Sequence, residues 1–326
     1  MPPEAQVRVL RSGLEESVHL VDVAVVDAAG SLVASAGDAD RVAFARSSMK
    51  PLQATVSMSR APFAFTDEEV AVMCASHNAE PVHRDAVRGI LSRANVAESA
   101  LRCPSVRPWD EESALAAPEP RAINSDCSGK HAGMLAACTA QDWPLETYRD
   151  PGHPLQGVIL EGVLAATRRS EVHVGVDGCG VPVHGMPLRS MASVFASLAR
   201  PDRLGPLSAH AARAVEAMTA KPYLVAGRNR VDTAVMERAS GRVIVKAGAE
   251  AMMCAAALEP GLGIALKVRD GSQRATGPVL IGVLRALDVL GERDVEALAE
   301  FAAPDVLGGG KPVGALEVTV ELTAGP

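Results

Sequence analysis

The sequence has no cluster of basic residues. Its formal net charge is −7 and its pI is about 5.7. Only six of the 32 basic residues are lysine, and the remaining 26 arginines are scattered along the chain. Proteins that bind nucleic acid usually carry a basic patch, because lysine and arginine neutralise the phosphates. We therefore expect no nucleic-acid partner.

Long apolar runs are also missing. The first 20 residues, MPPEAQVRVLRSGLEESVHL, lack a basic start followed by an apolar stretch of signal-peptide length. No later segment reaches the roughly 18 uninterrupted apolar residues of a membrane-spanning helix. We expect a cytoplasmic protein with no membrane partner. In a reducing compartment its six cysteines are expected to be core residues, nucleophiles or metal ligands rather than disulfides.

The patterning of the chain predicts an α+β fold. Hydrophobic residues make up 48% of the 326 residues and charged residues 22%, which fits one packed domain with two lobes. Strand-like segments such as VHLVDVAVVD and GALEVTVELT lie towards the two ends, with helical patterns between them. We predict a mostly antiparallel sheet built from about 1–45 and 240–326, with an inserted helical subdomain of about 46–239.

Residues 103–124 interrupt the helical region. This stretch, CPSVRPWDEESALAAPEPRAIN, contains four prolines and little periodicity. Such a composition predicts a long surface excursion or lid.

The scarcity of lysine draws attention to the stretch ARSSMKPLQA, residues 45–54. Ser47 and Lys50 are three positions apart, and Pro51 suits the opening turn of a helix. Side chains at this spacing lie on one helical face. A lysine whose pKa is lowered by burial or by nearby positive charge can take the proton of a serine and activate it. The alternative is an ordinary capped helix with a solvated lysine.

Serine acyl-transferases with this pair carry two companions, a polar residue on a central helix and a K-[ST]-G strand. The segment VIVKAGAE supplies Lys246 and Gly248, with Ala247 in place of the hydroxyl residue. For the central residue, CASHNAEPVH offers Ser76 and His77, and NSDCSG offers Ser125 and Asp126. Spacing alone does not choose between them.

Two further segments, DCSGKHAG and VDGCGVPVHG, contain potential metal ligands. Cys127, Lys130, His131 and Cys179 have suitable donor atoms, although the usual zinc pattern has two closely spaced cysteine pairs. The alternative interpretation is a pair of small buried thiols.

Five motifs follow one another between residues 46 and 251. They are RSSMKPLQA, CASHNAEPVHRDAV, CSGKHAGML, VDGCGVPVHGMPL and VKAGAEA. On these motifs the chain resembles the asparaginase II family, the rhizobial-type bacterial L-asparaginases. The resemblance implies a fold similar to serine β-lactamases and serine-dependent glutaminases, which agrees with the α+β pattern. It also implies a homodimer.

The resemblance assigns roles to the serines and lysines. It implies that Ser47 with Lys50 forms one Ser-Lys tandem and that Ser76 with Lys246 forms a second beside it. Ser76 rather than Ser125 is then the central polar residue.

The resemblance also implies a metal. One Zn²⁺ per chain would be held by Cys127, Lys130 and Cys179, with Asp177 nearby. A lysine ligand must be neutral, so the ion would have to displace its proton. The chain has Asp126 where the family pattern commonly shows asparagine before the first of these cysteines.

Together these features predict hydrolysis of the side-chain amide of L-asparagine to L-aspartate and ammonia through an acyl-enzyme. Ser47 is expected to attack while Lys50 takes its proton, and Ser76 with Lys246 relays a proton to the leaving ammonia. Backbone N–H groups at Ser47 and near Ala247 are expected to form the oxyanion hole.

The α-amino and α-carboxylate groups of the substrate are expected to be oriented by Arg46, His77 and Asp177. One alternative is a serine-dependent glutaminase or another amide hydrolase on the same fold. A second alternative is a non-catalytic protein that binds zinc or an amino acid.

Overall fold

The computed structural model describes residues 2–325. Its strands are β1 (Ala5–Arg11), β2 (Leu14–Asp27), β3 (Leu32–Ala36), β4 (Val42–Phe44), β5 (His173–Val176), β6 (Pro182–Pro187), β7 (Val243–Gly248), β8 (Met252–Ala257), β9 (Leu262–Val268), β10 (Asp305–Gly308), β11 (Lys311–Thr319) and β12 (Thr323–Ala324). Its α-helices are α1 (Lys50–Ser59), α2 (Asp67–Met73), α3 (Pro81–Arg93), α4 (Glu111–Ala116), α5 (Ser128–Ala140), α6 (Pro154–Thr167), α7 (Leu188–Ala199), α8 (Ser208–Ala220), α9 (Pro222–Val225), α10 (Val231–Ala239), α11 (Thr276–Ala286), α12 (Glu292–Ala297) and α13 (Ala299–Ala302). None of the helices in residues 2–325 is long and apolar enough to cross a membrane.

The main sheet has nine strands. Seven of them run in the order β10-β11-β1-β2-β9-β8-β7, while β3 pairs with β2 and β12 pairs with β3. All of these pairings are antiparallel. The strands come from residues 5–36 and 243–324, so the predicted α+β class and the antiparallel sheet drawn from two distant segments are confirmed.

A second, smaller sheet has the order β4-β6-β5 and is also antiparallel. It connects the strand just before Ser47 with the segment that contains Asp177 and Cys179, since Ala45 N donates to His184 O at 2.9 Å. This sheet therefore brings two motifs that are about 130 residues apart in sequence to one place.

Close contact between α2 and α5 depends on Gly129. A Cβ atom at this position would lie 2.0 Å from the carbonyl oxygen of Val72, so any larger residue would push the helices apart. The contact brings the segment after α2 beside the segment before α5, where His77 N donates to Asp126 O at 3.3 Å.

Strand β7 is the last strand of the main sheet and lies beside the 3₁₀ turn Arg46–Met49 that precedes α1. A Cβ atom on Gly248 would lie 3.1 Å from Ala45 O and 3.3 Å from Ser48 N. The small residue at the end of the VKAG motif thus lets this strand approach the start of α1.

Candidate active site

A cavity of about 480 Å³ opens where these elements meet. The 3₁₀ turn before α1 contributes Ser47, the loop after α2 contributes Ser76, and the end of β7 contributes Ala247. The long excursion 103–124 supplies part of the wall through Val106 and Trp109. The excursion therefore borders the cavity.

Ser47 lies in the 3₁₀ turn before α1, and Pro51 is the second residue of that helix. The predicted helix start is confirmed, although Ser47 precedes the first α-helical turn. Arg46 has φ +50°, a left-handed conformation that is unfavourable for a side chain larger than glycine and that recurs at functional sites. Within residues 2–325 the hydroxyl of Ser47 has no hydrogen-bond partner, and it does not bond to Lys50.

Lys50 is completely buried and donates three hydrogen bonds. Its Nζ lies 2.7 Å from Ala75 O, 2.8 Å from Ser76 Oγ and 3.2 Å from Asp126 O. The Asp126 carboxylate is 3.6 Å away. An ammonium group has three donors and no acceptor, so this environment matches a charged lysine.

Lys246 is completely buried too, and it reaches the same serine. Its Nζ lies 2.8 Å from Ser76 Oγ and 2.6 Å from Ala247 O. Ser76 is thus joined to both lysines, whereas the Ser125 hydroxyl accepts from Cys127 N. We refer to Lys50, Ser76 and Lys246 as the relay.

Burial lowers the pKa of Lys246 to about 7, because an ammonium ion in this site loses its hydration. Asp232 raises this pKa in opposition, while the charges of Lys50 and Arg230 lower it further. A neutral Lys246 donates a hydrogen bond to Ala247 O and accepts one from the Ser76 hydroxyl group. The oxygen of this hydroxyl group in turn accepts a hydrogen bond from Lys50. The relay then has a direction, from Lys50 through Ser76 to Lys246.

Several backbone N–H groups at the cavity have no hydrogen-bond partner within residues 2–325, among them those of Ser47 and Ala249. The N–H of Ala247 donates to Asp232 Oδ2 at 2.8 Å, so it is not available as a donor. The expected oxyanion-hole donor near Ala247 is therefore best matched by Ala249, two residues further along.

Arg46 and Asp177 both line the cavity and bind each other, with 2.7 Å between Arg46 Nε and Asp177 Oδ1. His77 does not reach the cavity wall. It is completely buried, its Nε2 is 3.0 Å from Ser128 Oγ and its Nδ1 accepts from Ala79 N. Burial lowers the pKa of His77 well below its ordinary value. The structure thus brings two of the three expected substrate-orienting residues to the cavity.

The expected zinc ligands converge at one wall of the same cavity. Lys130 Nζ donates to Cys179 Sγ at 3.1 Å, and Cys127 and Cys179 both border the cavity. The hydrogen bond from Cys127 lowers the pKa of Cys179 far below its ordinary value. Burial lowers the pKa of Lys130, but Cys179, Cys127 and Asp177 raise it, so that the net pKa lies above the ordinary value of lysine.

The donor set at this wall fits a zinc ion. The thiol groups of Cys127 and Cys179 are hydrogen-bonded to each other, and Lys130 Nζ lies 3.1 Å from Cys179 Sγ. Asp177 Oδ2 lies 3.8 Å from the same sulfur. Thiolates are preferred zinc ligands. Within residues 2–325 no group of three or more His, Cys, Asp or Glu side chains is placed to hold a metal, so a zinc here needs Lys130 as a ligand.

Sequence patterns did not identify three residues at the site. Trp109 lines the cavity with its ring 5.8 Å from the Arg230 guanidinium. Arg230 donates to Ser76 O at 3.3 Å and to Asn78 Oδ1 at 3.0 Å. Asp232 is completely buried beside Lys246. Only Trp109 had a signal in the sequence, as an aromatic residue in the proline-rich excursion.

A cavity lined by Ser47 and Ser76, with two buried lysines bonded to Ser76, is typical of a serine-dependent hydrolase. Residues 7–318 match the family model described as L-asparaginase II, so the chain belongs to this family. The resemblance found in the sequence motifs is confirmed. Family membership supports an amidohydrolase activity of the asparaginase type.

Solved structures with detectable similarity include two proteins. A β-lactamase from Mycobacterium bovis is 18% identical over 83% of this chain and 95% of that chain, with a TM-score of 0.44. A mutant simvastatin synthase from Aspergillus terreus is 12% identical over 76% of this chain and 86% of that chain, with a TM-score of 0.35. A comparison with curated proteins found no match.

Proposed function

We propose that this protein hydrolyses the side-chain amide of L-asparagine to L-aspartate and ammonia through an acyl-enzyme on Ser47. The relay carries this proposal, because it places a neutral amine at the end of a hydrogen-bonded chain whose serine, Ser76, lines the same cavity as Ser47. Family membership supplies the class of substrate.

Ser47 is the better candidate for the nucleophile. In acyl transfer the N–H of the nucleophile commonly contributes to the oxyanion hole. The N–H of Ser76 donates to Val225 O at 3.0 Å, whereas that of Ser47 has no partner within residues 2–325. Ser47 and Ala249 together would offer two donors to the oxyanion, each worth roughly 3 kcal/mol in the transition state.

The relay provides the proton transfer. As Ser47 Oγ bonds to the amide carbon, the Ser76 proton passes to Lys246 Nζ, a Lys50 proton passes to Ser76 Oγ, and the neutral Lys50 amine so formed takes the proton of Ser47. The reverse sequence delivers a proton to the leaving nitrogen as the C–N bond breaks and ammonia forms. Water then attacks the ester by the same path and releases aspartate.

Arg46 and Asp177 present the two charges that a zwitterionic amino acid requires. The guanidinium can bind the α-carboxylate, and the carboxylate can bind the α-ammonium group. Both side chains line the cavity close to Ser47. A cavity of about 480 Å³ also accommodates glutamine, which makes glutaminase the second candidate.

The first experiment measures ammonia release from L-asparagine and L-glutamine by the purified protein. We expect asparagine to be preferred. Ser47→Ala should lower turnover by at least about 10⁴-fold, because the nucleophile is lost. Ser48→Ala is the matched control, since its hydroxyl donates to Ala45 O and has no role in the chemistry. Preference for glutamine would make glutamine the proposed substrate in place of asparagine. Retained activity in Ser47→Ala would contradict the assignment of Ser47 as the nucleophile.

We also propose that Cys127, Lys130 and Cys179 hold one Zn²⁺ per chain. When bound, the ion would supply a positive charge at the wall that carries Asp177, which suits organisation of the substrate pocket. The chemistry at Ser47 does not need it as a nucleophile source, since the relay already supplies a base.

Removal of a ligand tests the metal. Cys179→Ala is expected to lose the zinc and to raise KM more than it lowers kcat, because the loss affects the pocket rather than the relay. Elemental analysis and steady-state kinetics on the same sample measure both. Cys138→Ala, at a buried cysteine on α5 outside the cavity, should retain the metal. Wild-type protein that contains no zinc after expression with zinc supplied would contradict the proposal.

A further inference from the structure

Asp232 is a buried carboxylate that the proposed reaction does not use. It is the second residue of α10 and is completely inaccessible to solvent. Its Oδ2 accepts from Ala247 N at 2.8 Å and lies 3.8 Å from Lys246 Nζ. Its Oδ1 has no hydrogen-bond partner within residues 2–325. An isolated buried carboxylate is costly, so its position calls for a compensating function.

The first contact holds the backbone at the end of the relay. Ala247 belongs to the edge strand β7, where its N–H has no neighbouring strand to bond. The Asp232 carboxylate accepts a hydrogen bond from Ala247 N, and the carbonyl oxygen of Ala247 accepts one from Lys246 Nζ at 2.6 Å. Asp232 thereby fixes the residue that anchors the amine against Ser76.

The second contact is electrostatic. Within residues 2–325, Asp232 is the one carboxylate whose oxygen lies within 4 Å of Lys246 Nζ. The other ionisable groups near this amine come from α1, the loops around Ser76 and Asp126, the residue before α10, and β8. They are Lys50, Cys74, Asp126, Arg230 and Cys254. Two of these are cations that disfavour a second positive charge, and Asp232 is the nearest group that favours one.

We propose that Asp232 is a positioning residue that holds Lys246 against Ser76 and determines the pH at which Lys246 loses its proton. The role rests on the proposed function, in which neutral Lys246 is the final proton acceptor of the relay. Without the carboxylate the charged form of Lys246 loses its closest counter-ion. The neutral form should then persist to lower pH.

Two substitutions separate the two contacts. Asp232→Asn retains an oxygen that can accept from Ala247 N and removes the charge. Asp232→Ala removes both the acceptor and the charge. Glu237→Gln, at an exposed carboxylate on the same helix, changes the net charge by the same amount and is the control.

The first readout is the pH dependence of kcat/KM for amide hydrolysis. We expect Asp232→Asn to move the acid limb to lower pH by about one unit. Asp232→Ala should lower kcat/KM by at least about tenfold at every pH, because the amine is no longer held in place. Glu237→Gln should match the wild type. An acid limb in Asp232→Asn that stays in place or moves to higher pH would overturn the proposal.

The second readout does not depend on activity. With only six lysines in the chain, protein labelled with ¹³C at the lysine ε-carbons gives few NMR signals, and Lys246→Met identifies the one of interest. We expect the Lys246 titration midpoint to be lower in Asp232→Asn than in the wild type, and equal midpoints would refute the role. Should the asparagine variant not fold, Asp232→Ser serves the same comparison. If the protein hydrolysed neither asparagine nor glutamine, the proposed function would be wrong. The Lys246 titration would then still test the role of Asp232.

Discussion

Two completely buried lysines bonded to one hydroxyl, at 2.8 Å each, define the site at the scale of residues. Charging both amines would place two cations around one oxygen in a medium of low dielectric constant. Lys50 has three acceptors for an ammonium group, whereas Lys246 has only two hydrogen bonds. The asymmetry makes Lys50 the charged member and Lys246 the base.

This asymmetry predicts how activity depends on pH. The pKa of Lys246 is lowered to about 7, so below this pH the amine carries an extra proton and cannot accept another. We expect kcat/KM to rise with pH through a midpoint near 7 and to level off above it. Steady-state assays of ammonia release between pH 5 and 9 measure the curve.

Two variants control that measurement. Lys246→Met should lower kcat/KM by at least about 100-fold, because the base is lost. Lys267→Met also removes a partly buried lysine with a lowered pKa, but from outside the cavity, and it should leave the curve unchanged. A profile that stays flat between pH 5 and 9 would rule out Lys246 as the base.

The sequence motifs identified the chemical groups of the site but not their pairing. The five motifs contain both serines and both lysines, because short motifs preserve residue types. The bonding of Lys50 to Ser76 depends on where the loop after α2 lies relative to α1, and that follows from contacts between distant segments. Asp232 had no sequence signal, since a single aspartate in the first turn of a helix is ordinary.

At the scale of elements, the excursion 103–124 and the edge strand β7 each form part of the cavity wall. Two residues of the excursion are tied to the loop that carries Ser76, as Trp109 N and Asp110 N donate to Asn78 O. The excursion is therefore anchored to the loop that carries Ser76. This coupling suits a wall that positions substrate.

Trp109 is the residue of the excursion 103–124 that we expect to contribute most to substrate binding. Its ring lies under the Arg230 guanidinium and lines the cavity. We expect Trp109→Ala to raise KM for asparagine by about fivefold to tenfold with a smaller change in kcat, because the wall loses apolar contact and a cation–π partner. Steady-state kinetics measure both constants.

Leu115 offers the control for this substitution. It lies on the same excursion, is 78% exposed and does not line the cavity. Leu115→Ala should therefore leave KM unchanged. Equal effects of the two substitutions would mean that the excursion acts through its overall stability rather than through the tryptophan.

Local patterns predicted some elements and missed others. The strand VHLVDVAVVD is rich in β-branched residues and lies within β2. Strand β8, MMCAAA, was not predicted, because alanine and methionine have no preference for strands. It becomes a strand because β7 and β9 pair with it on both sides, which is information that no short window contains.

At the scale of the whole molecule, the homodimer implied by the family resemblance remains to be tested. The small sheet exposes four large apolar side chains. They are Val42, Phe44, Val174 and Val176. Strand β5 is also an edge strand, and exposed apolar edges are suited to association. We therefore propose this sheet as the dimer surface.

Light scattering tests this surface. We expect the wild type to have twice the 33.8 kDa chain mass and Val176→Asp to shift towards the mass of a single chain. Leu14→Asp, at a residue on β2 that is also 73% exposed, should leave the mass unchanged. A wild-type mass of one chain would contradict the dimer.

The pairing of β1 with β11 has a consequence for how the protein is made. Gln6 lies opposite Thr319, yet a ribosome adding about 5–20 residues per second makes the second strand roughly 15 to 60 s after the first. During that interval the newly made β1–β2 hairpin has an open edge that can pair with another chain. Folding in the cell should therefore finish only after most of the chain has been made.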